Sequence, residues 1–229
     1  MPDKIVVLSG SGLSAESGLP TFRDAAGLWR QYSWMDLASP EGWRKQPRLV
    51  LEFYNERRAK AWSAEPNAAH RAIAGLEQDF DVVVITQNVD NLHERAGSTR
   101  VLHLHGELAF ARGTGPGRIR RRIDGAPIEL GEKCEEGTQL RPDIVWFGEE
   151  TRHLEEARDH VEGADKVLVV GTSLSVYPAA SLVEFAPPRA EKVLNSIEMD
   201  EVPAGFEFLP GRATEVVPRI TARWSASAV

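Results

Sequence analysis

Three short apolar runs stand out along an otherwise mixed chain: Ile5-Val-Val-Leu8, Val82-Val-Val-Ile85 and Val167-Leu-Val-Val170. Each is rich in β-branched residues and ends in small or polar ones, the pattern of parallel strands covered on both faces. Two weaker runs behave similarly: Glu191–Leu194 stops at Asn195, and Val101–Leu104 stops at His105-Gly106. Between the runs, residues 47–62, 67–76 and 152–162 carry apolar positions at helical spacing, and Pro66-Asn67 supplies a start signal for the second. Strand–helix alternation of this kind predicts an α/β fold built on a doubly wound parallel sheet.

Two stretches break the alternation. Residues 24–65 are rich in Trp and Pro and read as mostly helical, while residues 109–139 are rich in Gly, Arg and Glu, with weak strand signals at 119–123. They are expected to pack beside the sheet as a small inserted second domain. A large Rossmann-like domain then takes approximately residues 1–27, 66–108 and 140–229, and the small one 28–65 and 109–139. Ser225–Val229 are expected to fray.

Composition narrows the class without naming a chemistry. At 229 residues, 42% hydrophobic and 27% charged, the chain has room for one such unit. A formal charge of −7 argues against a nucleic-acid partner. The local exception, Arg118–Arg122, reads better as a solvated strand edge than as a patch for acidic partners. A single cysteine, Cys134, excludes an intrachain disulfide framework and suits a reducing compartment. No apolar run approaches a membrane span, and a strand beginning at Ile5 leaves no room for a signal peptide. The expectation is a cytoplasmic protein without membrane association, for which a monomer is compatible and oligomeric state is open.

Candidate chemistry gathers at the ends of the strands. After the first, Gly10-Ser11-Gly12 and Ala15 form a turn that lets backbone approach a pyrophosphate, although a tight turn without a ligand has the same pattern. The acidic residue that a dehydrogenase places after its second strand is missing, and the chain breaks instead at Gly18-Leu-Pro20 into Thr21-Phe22-Arg23-Asp24. After the second run, Gln87, Asn88 and Asp90 put an amide pair and a carboxylate where ribose hydroxyls and a carboxamide could bind, or where a helix could be capped. Alternation sends His103 and His105 to one face, and His105, followed by Gly106, is the better candidate base. A two-histidine metal site lacks completing ligands. Gly171-Thr172-Ser173, Asn195 and the Gly211-Arg-Ala213 turn fall at the same sheet edge.

Taken together, Gly10–Arg23, Thr86–Asp90, His103–Glu107, Arg141–Glu149 and Gly171–Ser173 resemble, in order and over nearly the whole chain, the sirtuin family of NAD-dependent protein deacylases. The likeness is to the desuccinylase-like (class III) bacterial type. The resemblance implies that residues 10–29 wrap NAD, with Gly10, Ser11, Gly12, Ala15, Glu16, Thr21 and Trp29 along the cofactor, Arg23 near its phosphates and Phe22 shielding the reacting centre. Gln87, Asn88 and Asp90 would hold the ribose and the carboxamide, with Asn88 also in a catalytic role, and Gly171, Thr172, Ser173, Asn195 and Ala213 would line the adenosine half. Val145, Phe147 and Gly148 would receive an acylated lysine of a protein substrate by strand addition. In the implied reaction nicotinamide leaves, the acyl oxygen captures the sugar, and His105 removes a proton from a ribose hydroxyl that attacks the acyl carbon. Free lysine, nicotinamide and O-acyl-ADP-ribose result.

Two departures and one refinement accompany the resemblance. Tyr54 and Arg57 share a helix face at i and i+3; by spacing alone they suit a half-buried Tyr and a solvated Arg. In the family register they match the Tyr-x-x-Arg pair of members preferring succinyl- and malonyl-lysine, with Arg58 pointing elsewhere. Most relatives bind structural zinc through two Cys-x-x-Cys pairs, but this chain has only Cys134, so no zinc is expected. Ser11 stands where the family usually has Ala. Readings left open are an NAD-consuming ADP-ribosyltransferase or NAD hydrolase, and a catalytically silent NAD-binding module.

Overall fold

A computed structural model describes residues 2–21 and 33–227. Phe22, Arg23 and Trp29, expected along the cofactor, therefore lie outside the described residues. Six parallel strands form the main sheet: β1 (Lys4–Ser9), β2 (Asp81–Thr86), β3 (Val101–His103), β7 (Lys166–Val170), β8 (Glu191–Ser196) and β9 (Glu207–Pro210). Their order is β3-β2-β1-β7-β8-β9. Register is direct: Ile5 lies opposite Val82 on one side and Lys166 on the other. The strand order reverses beside β1, so the carboxyl ends of β1 and β7 diverge into a crevice.

The continuous apolar runs are explained by two cores, one on each face. Ile5 and Val7 pack with Ile73, Val217 and Trp224, while Val6 and Leu8 pack with Val161, Leu182 and Leu194. Burying both faces leaves no polar alternation to read. The helix Ala213–Ala226 closes the first face. It runs through Ser225 and Ala226, which were expected to fray. Trp224 is the reason: its ring is 1% exposed and its Nε1 donates to Glu191 at 2.8 Å, with Arg223 on the same carboxylate.

Beside this unit, β4 (Gly106–Gly113), β5 (Arg120–Arg122) and β6 (Leu140–Ile144) make an antiparallel sheet ordered β5-β4-β6. The helix Pro47–Ser63 packs on it through Val50, Phe53 and Tyr54, which meet Leu108, Ile144 and Trp146, and through Leu51, which meets Ala111 and Leu140. Gly106 starts β4 at φ +81°, where an added Cβ would stand 2.1 Å from the Asp143 carbonyl oxygen. Only glycine lets the chain turn so sharply after His105. The arginine run is the edge strand: Arg120 pairs with Glu107 and Asp143, Arg121 with Glu132, and Arg122 with Asp124.

Under the crevice lies a buried polar chain. His93 Nε2 meets Ser9 Oγ at 2.9 Å, and Ser9 Oγ donates to Thr86 Oγ1 at 2.8 Å. The His70 ring sits edge-on to His93 at 5.0 Å. Its Nδ1 accepts from the backbone N–H of Asn67, which requires that nitrogen to be unprotonated. Burial lowers His70 from 6.5 to about 4 and His93 well below its ordinary value. A depressed folded-state pKa means that protons prefer the unfolded chain. Stability is full above pH 6.5 and is lost as pH falls toward 4, by roughly 3 kcal/mol for His70 alone. Urea unfolding across that range should show the loss, and His70→Asn should flatten it; an unaltered slope would exclude His70 as its source.

Candidate active site

The crevice at the sheet's carboxyl edge opens into a cavity of about 1060 Å³. Its lining takes residues from all the strand ends singled out above: Ser11, Gly12, Ala15, Glu16 and Thr21 after β1, Gln87 and Asn88 after β2, and His105 after β3. Gly171, Thr172 and Ser173 follow β7, Asn195 lies just before β8 ends at Ser196, and Ala213 opens the last helix. From the smaller unit come Tyr54, Arg57, Val145, Phe147 and Gly148. Asp90 lines an adjoining recess together with Ser14, Arg57 and Asn88. Gly10 lines neither space; its N–H donates to Val170 O at 3.0 Å and it carries the turn. Across from it Gly171, at φ +64°, lets the two turns touch, since a Cβ there would lie 2.2 Å from Leu13 N.

The Asn88 amide is fixed from three sides. Nδ2 donates to Gly10 O and to Ser14 Oγ, both at 3.1 Å, and the backbone N–H donates to Thr86 Oγ1 at 3.0 Å. Ser14 Oγ in turn donates to Asp90 Oδ2 at 3.1 Å, while Asp90 Oδ1 accepts from Leu92 N at 3.2 Å. Burial raises the Asp90 pKa against these two hydrogen bonds. Ser14 is thus the joint between turn and loop, a role its type and position in sequence did not signal.

The two histidines part company. The strand stops at His103, so alternation does not extend to His105, and the expected shared face is not formed. His103 lies between the Asn88 carbonyl at 3.0 Å and Glu94 Oε1 at 2.7 Å, two acceptors that call for both ring nitrogens to carry protons. Burial lowers its pKa, but Glu94 outweighs burial and the net shift is upward. His105 has a single carbonyl partner, Gln87 O, 3.1 Å from Nδ1. With Nδ1 donating there, the neutral ring keeps a lone pair on Nε2. Burial lowers its pKa, the Gln87 contact opposing, so the imidazole is neutral at physiological pH. Only His105 lines the cavity and is set up as a base.

Several expected ligand groups already serve the fold. Glu16 accepts from Thr214 Oγ1 at 2.8 Å and Thr214 N at 3.1 Å, capping the last helix. Asn195 gives both amide protons to Leu209 O and Gly211 O, leaving Oδ1 buried with no partner among the described residues. Gln87 Oε1 accepts from Thr172 Oγ1 at 3.2 Å. The backbone N–H of Val145 donates to His105 O and that of Phe147 to Ala38 O, both at 2.9 Å, so a substrate strand would use other groups of this segment.

Tyr54 is 1% exposed, with its ring edge against Phe53, and burial raises its pKa, keeping the hydroxyl protonated. Arg57 is partly exposed to the cavity, its guanidinium 5.7 Å from the Tyr54 ring centroid, and desolvation lowers its pKa. Arg58 turns away into the protein, where its Nε donates to Leu108 O at 2.6 Å.

Cys134 Sγ lies 3.2 Å from Thr138 Oγ1, and a Cβ at Gly113 would come within 2.7 Å of that sulfur. Cys134 is the only thiol of the chain, whereas a tetrahedral structural zinc site takes four ligands. Among the described residues the only cluster with metal-ligand types is Glu94, His103 and Glu107, and its members pair with one another and with Arg120.

Comparison with known proteins gives a consistent picture. Residues 10–178 match the Sir2 family. An NAD-dependent protein deacylase of Helicobacter pylori (strain J99) is 52% identical over 182 residues, 80% of this chain and 77% of the relative. The crystal structure of a Sir2 homolog–NAD complex superposes with a TM-score of 0.88 at 39% identity, covering 100% of this chain and 91% of the other. A Sir2 variant with a deacetylated peptide and 3'-O-acetyl ADP ribose gives 0.83 at 29% identity, covering 97% and 94%.

Proposed function

Because the chain belongs to the Sir2 family, we propose that this cavity is where an NAD-dependent protein-lysine deacylase removes acidic acyl groups as well as acetyl. NAD supplies the bond to be broken, that between nicotinamide and ribose, and the ADP-ribose that accepts the acyl group. The residues present suit it: the Gly10–Ala15 turn for the pyrophosphate, Gly171, Thr172, Ser173, Ala213 and Asn195 for the adenosine half, and Gln87, Asn88 and Asp90 for the ribose and carboxamide. Asn88 and Asp90 act as a rigid unit through Ser14, which favours positioning over flexible capture. Phe22, Arg23 and Trp29 are proposed to complete the cover.

The observation that carries the reading is His105. Its Nδ1 is committed to the Gln87 carbonyl and its neutral Nε2 is available to a ribose hydroxyl. On the other side, Tyr54 and Arg57 form the acyl end: a guanidinium and a phenol offer donors that a terminal carboxylate can accept. Mass spectrometry of acetyl-, succinyl- and malonyl-lysine peptides incubated with NAD tests the whole reading. Deacylated peptides with free lysine and stoichiometric O-acyl-ADP-ribose are expected. Nicotinamide release with intact peptides would point to transfer to another acceptor or to water, and no release to a silent module.

The same reading includes a small domain without zinc, held by its own hydrogen bonds at Cys134–Thr138 and Gly115, whose N–H donates to Thr138 Oγ1. Elemental analysis should find less than a tenth of a zinc per chain, and chelators should leave activity intact; stoichiometric zinc would refute it. A cytoplasmic location and action on other proteins, without nucleic acid or membrane, complete the proposal, resting on the single cysteine and the acidic balance.

A further inference from the structure

Tyr54 and Arg57 are only half of an acyl-recognition device, because a hydroxyl is a rotor and must be told where to point. A phenol has one proton and two acceptor positions, while an indole N–H can only donate. Here Trp146 Nε1 donates to Tyr54 OH at 3.1 Å, with both side chains fully buried. Among the described residues nothing accepts the Tyr54 proton. The hydrogen bond received on oxygen leaves the phenol with that proton to give, and polarises the O–H so that it donates better.

Trp146 is itself clamped. The Arg141 guanidinium lies 3.2 Å from the indole centroid. Arg141 also makes a two-pronged pair with Glu149 at 2.8 and 3.0 Å. Glu149 Oε2 accepts from the Trp146 backbone N–H at 2.9 Å, and Arg112 holds the other oxygen at 2.9 Å. The indole is thus fixed in plane and in depth by the buried Arg141 and the half-buried Glu149 at the two ends of the segment that carries Phe147 and Gly148. Nothing in packing alone calls for so many ionic contacts around one tryptophan.

From this arrangement we infer that Trp146 is a specificity-positioning residue: its indole N–H orients the Tyr54 hydroxyl as a donor toward acyl groups ending in a carboxylate. The inference rests on the acidic-acyl reading of Tyr54 and Arg57 and adds the element that makes the phenol directional. An acetyl group presents no oxygen at that depth, so the effect belongs to the acidic acyl groups.

The test uses one peptide carrying succinyl- or acetyl-lysine, at saturating NAD, with KM and kcat measured separately. Trp146→Phe keeps an aromatic ring over Arg141 but removes the donor. It should raise KM for the succinyl peptide about three- to ten-fold relative to the acetyl peptide, the range expected for one hydrogen bond. In a Tyr54→Phe background the same change should add nothing to the ratio. Equal effects on both peptides, or a selective effect that persists without the Tyr54 hydroxyl, would overturn the inference. Should Trp146→Phe fail to fold, 3-benzothienylalanine at position 146 keeps the shape and removes only the N–H. Tyr54→Phe and Arg57→Ala separate the two levels: if neither alters the succinyl-to-acetyl ratio, the acidic-acyl reading itself fails. If they alter it and the position-146 variants do not, only the role of Trp146 falls.

Discussion

His105→Ala is expected to lower kcat/KM for deacylation by about 10³-fold, within the range for loss of a positioned general base. The melting temperature should scarcely change, because the side chain lines the cavity and has one hydrogen bond, to Gln87 O. The argument is one of sequence in time. A base is needed to take a proton from the ribose hydroxyl after nicotinamide has left, and the departure of a cationic leaving group needs no base. Exchange of labelled nicotinamide into NAD, in the presence of acylated peptide, should therefore survive in the variant. Loss of exchange in step with deacylation would mean that His105 acts earlier or only holds the cavity together. In the unsubstituted protein the pH profile should carry the same signature. Protonation of Nε2 removes the base, and burial moves that protonation below the ordinary value of 6.5. The acid limb of kcat/KM is accordingly expected below pH 6.5, and a midpoint above it would place the titrating group elsewhere.

That histidine was legible in the sequence for a simple reason: a short, partly buried apolar run precedes it and the glycine after it is required by a close backbone contact with Asp143. The same holds for the turns at Gly10 and Gly171, and for β1, β2 and β7, whose composition reflects burial on both faces. Legibility fades where a residue's partner is far along the chain. Glu16 reads as a cofactor contact because it sits in the glycine turn, yet its carboxylate caps a helix that starts at residue 213. Ser14 and Trp146 look ordinary in sequence, and their importance comes from Asp90, Asn88 and Tyr54. The strand β9 and the final helix carry little signal in the sequence because Glu207–Pro210 is an edge strand, only partly buried, and Pro218 interrupts the helical pattern. Pairing of His103 and His105 on one face failed because the strand ended one residue sooner than the apolar pattern.

Arg57→Ala is expected to reduce desuccinylation by about 10- to 100-fold while reducing deacetylation far less. The lower bound is the loss of one hydrogen bond to a charged group, and the upper bound that of a two-pronged pair in a partly desolvated site. Desolvation already lowers the Arg57 pKa, with Tyr54 and Asp90 opposing, so the cation has given up part of its hydration before substrate arrives. A carboxylate bound beside it offsets that cost; a methyl group does not, which is why the two substrates should separate. Position follows from the helix Pro47–Ser63, where i, i+3 spacing carries Arg57 and Tyr54 to the cavity while Arg58 is held by Leu108 O on another side. Arg58→Ala should then cost stability, through a buried hydrogen bond, without altering the succinyl-to-acetyl ratio. Arg57→Lys separates charge from geometry: it keeps the cation but loses the fork, so it should restore only part of the difference. The measurement is kcat/KM on matched succinyl- and acetyl-lysine peptides. An equal fall for both would assign Arg57 to the cofactor side of the cavity, beside Asn88 and Asp90, rather than to the acyl group.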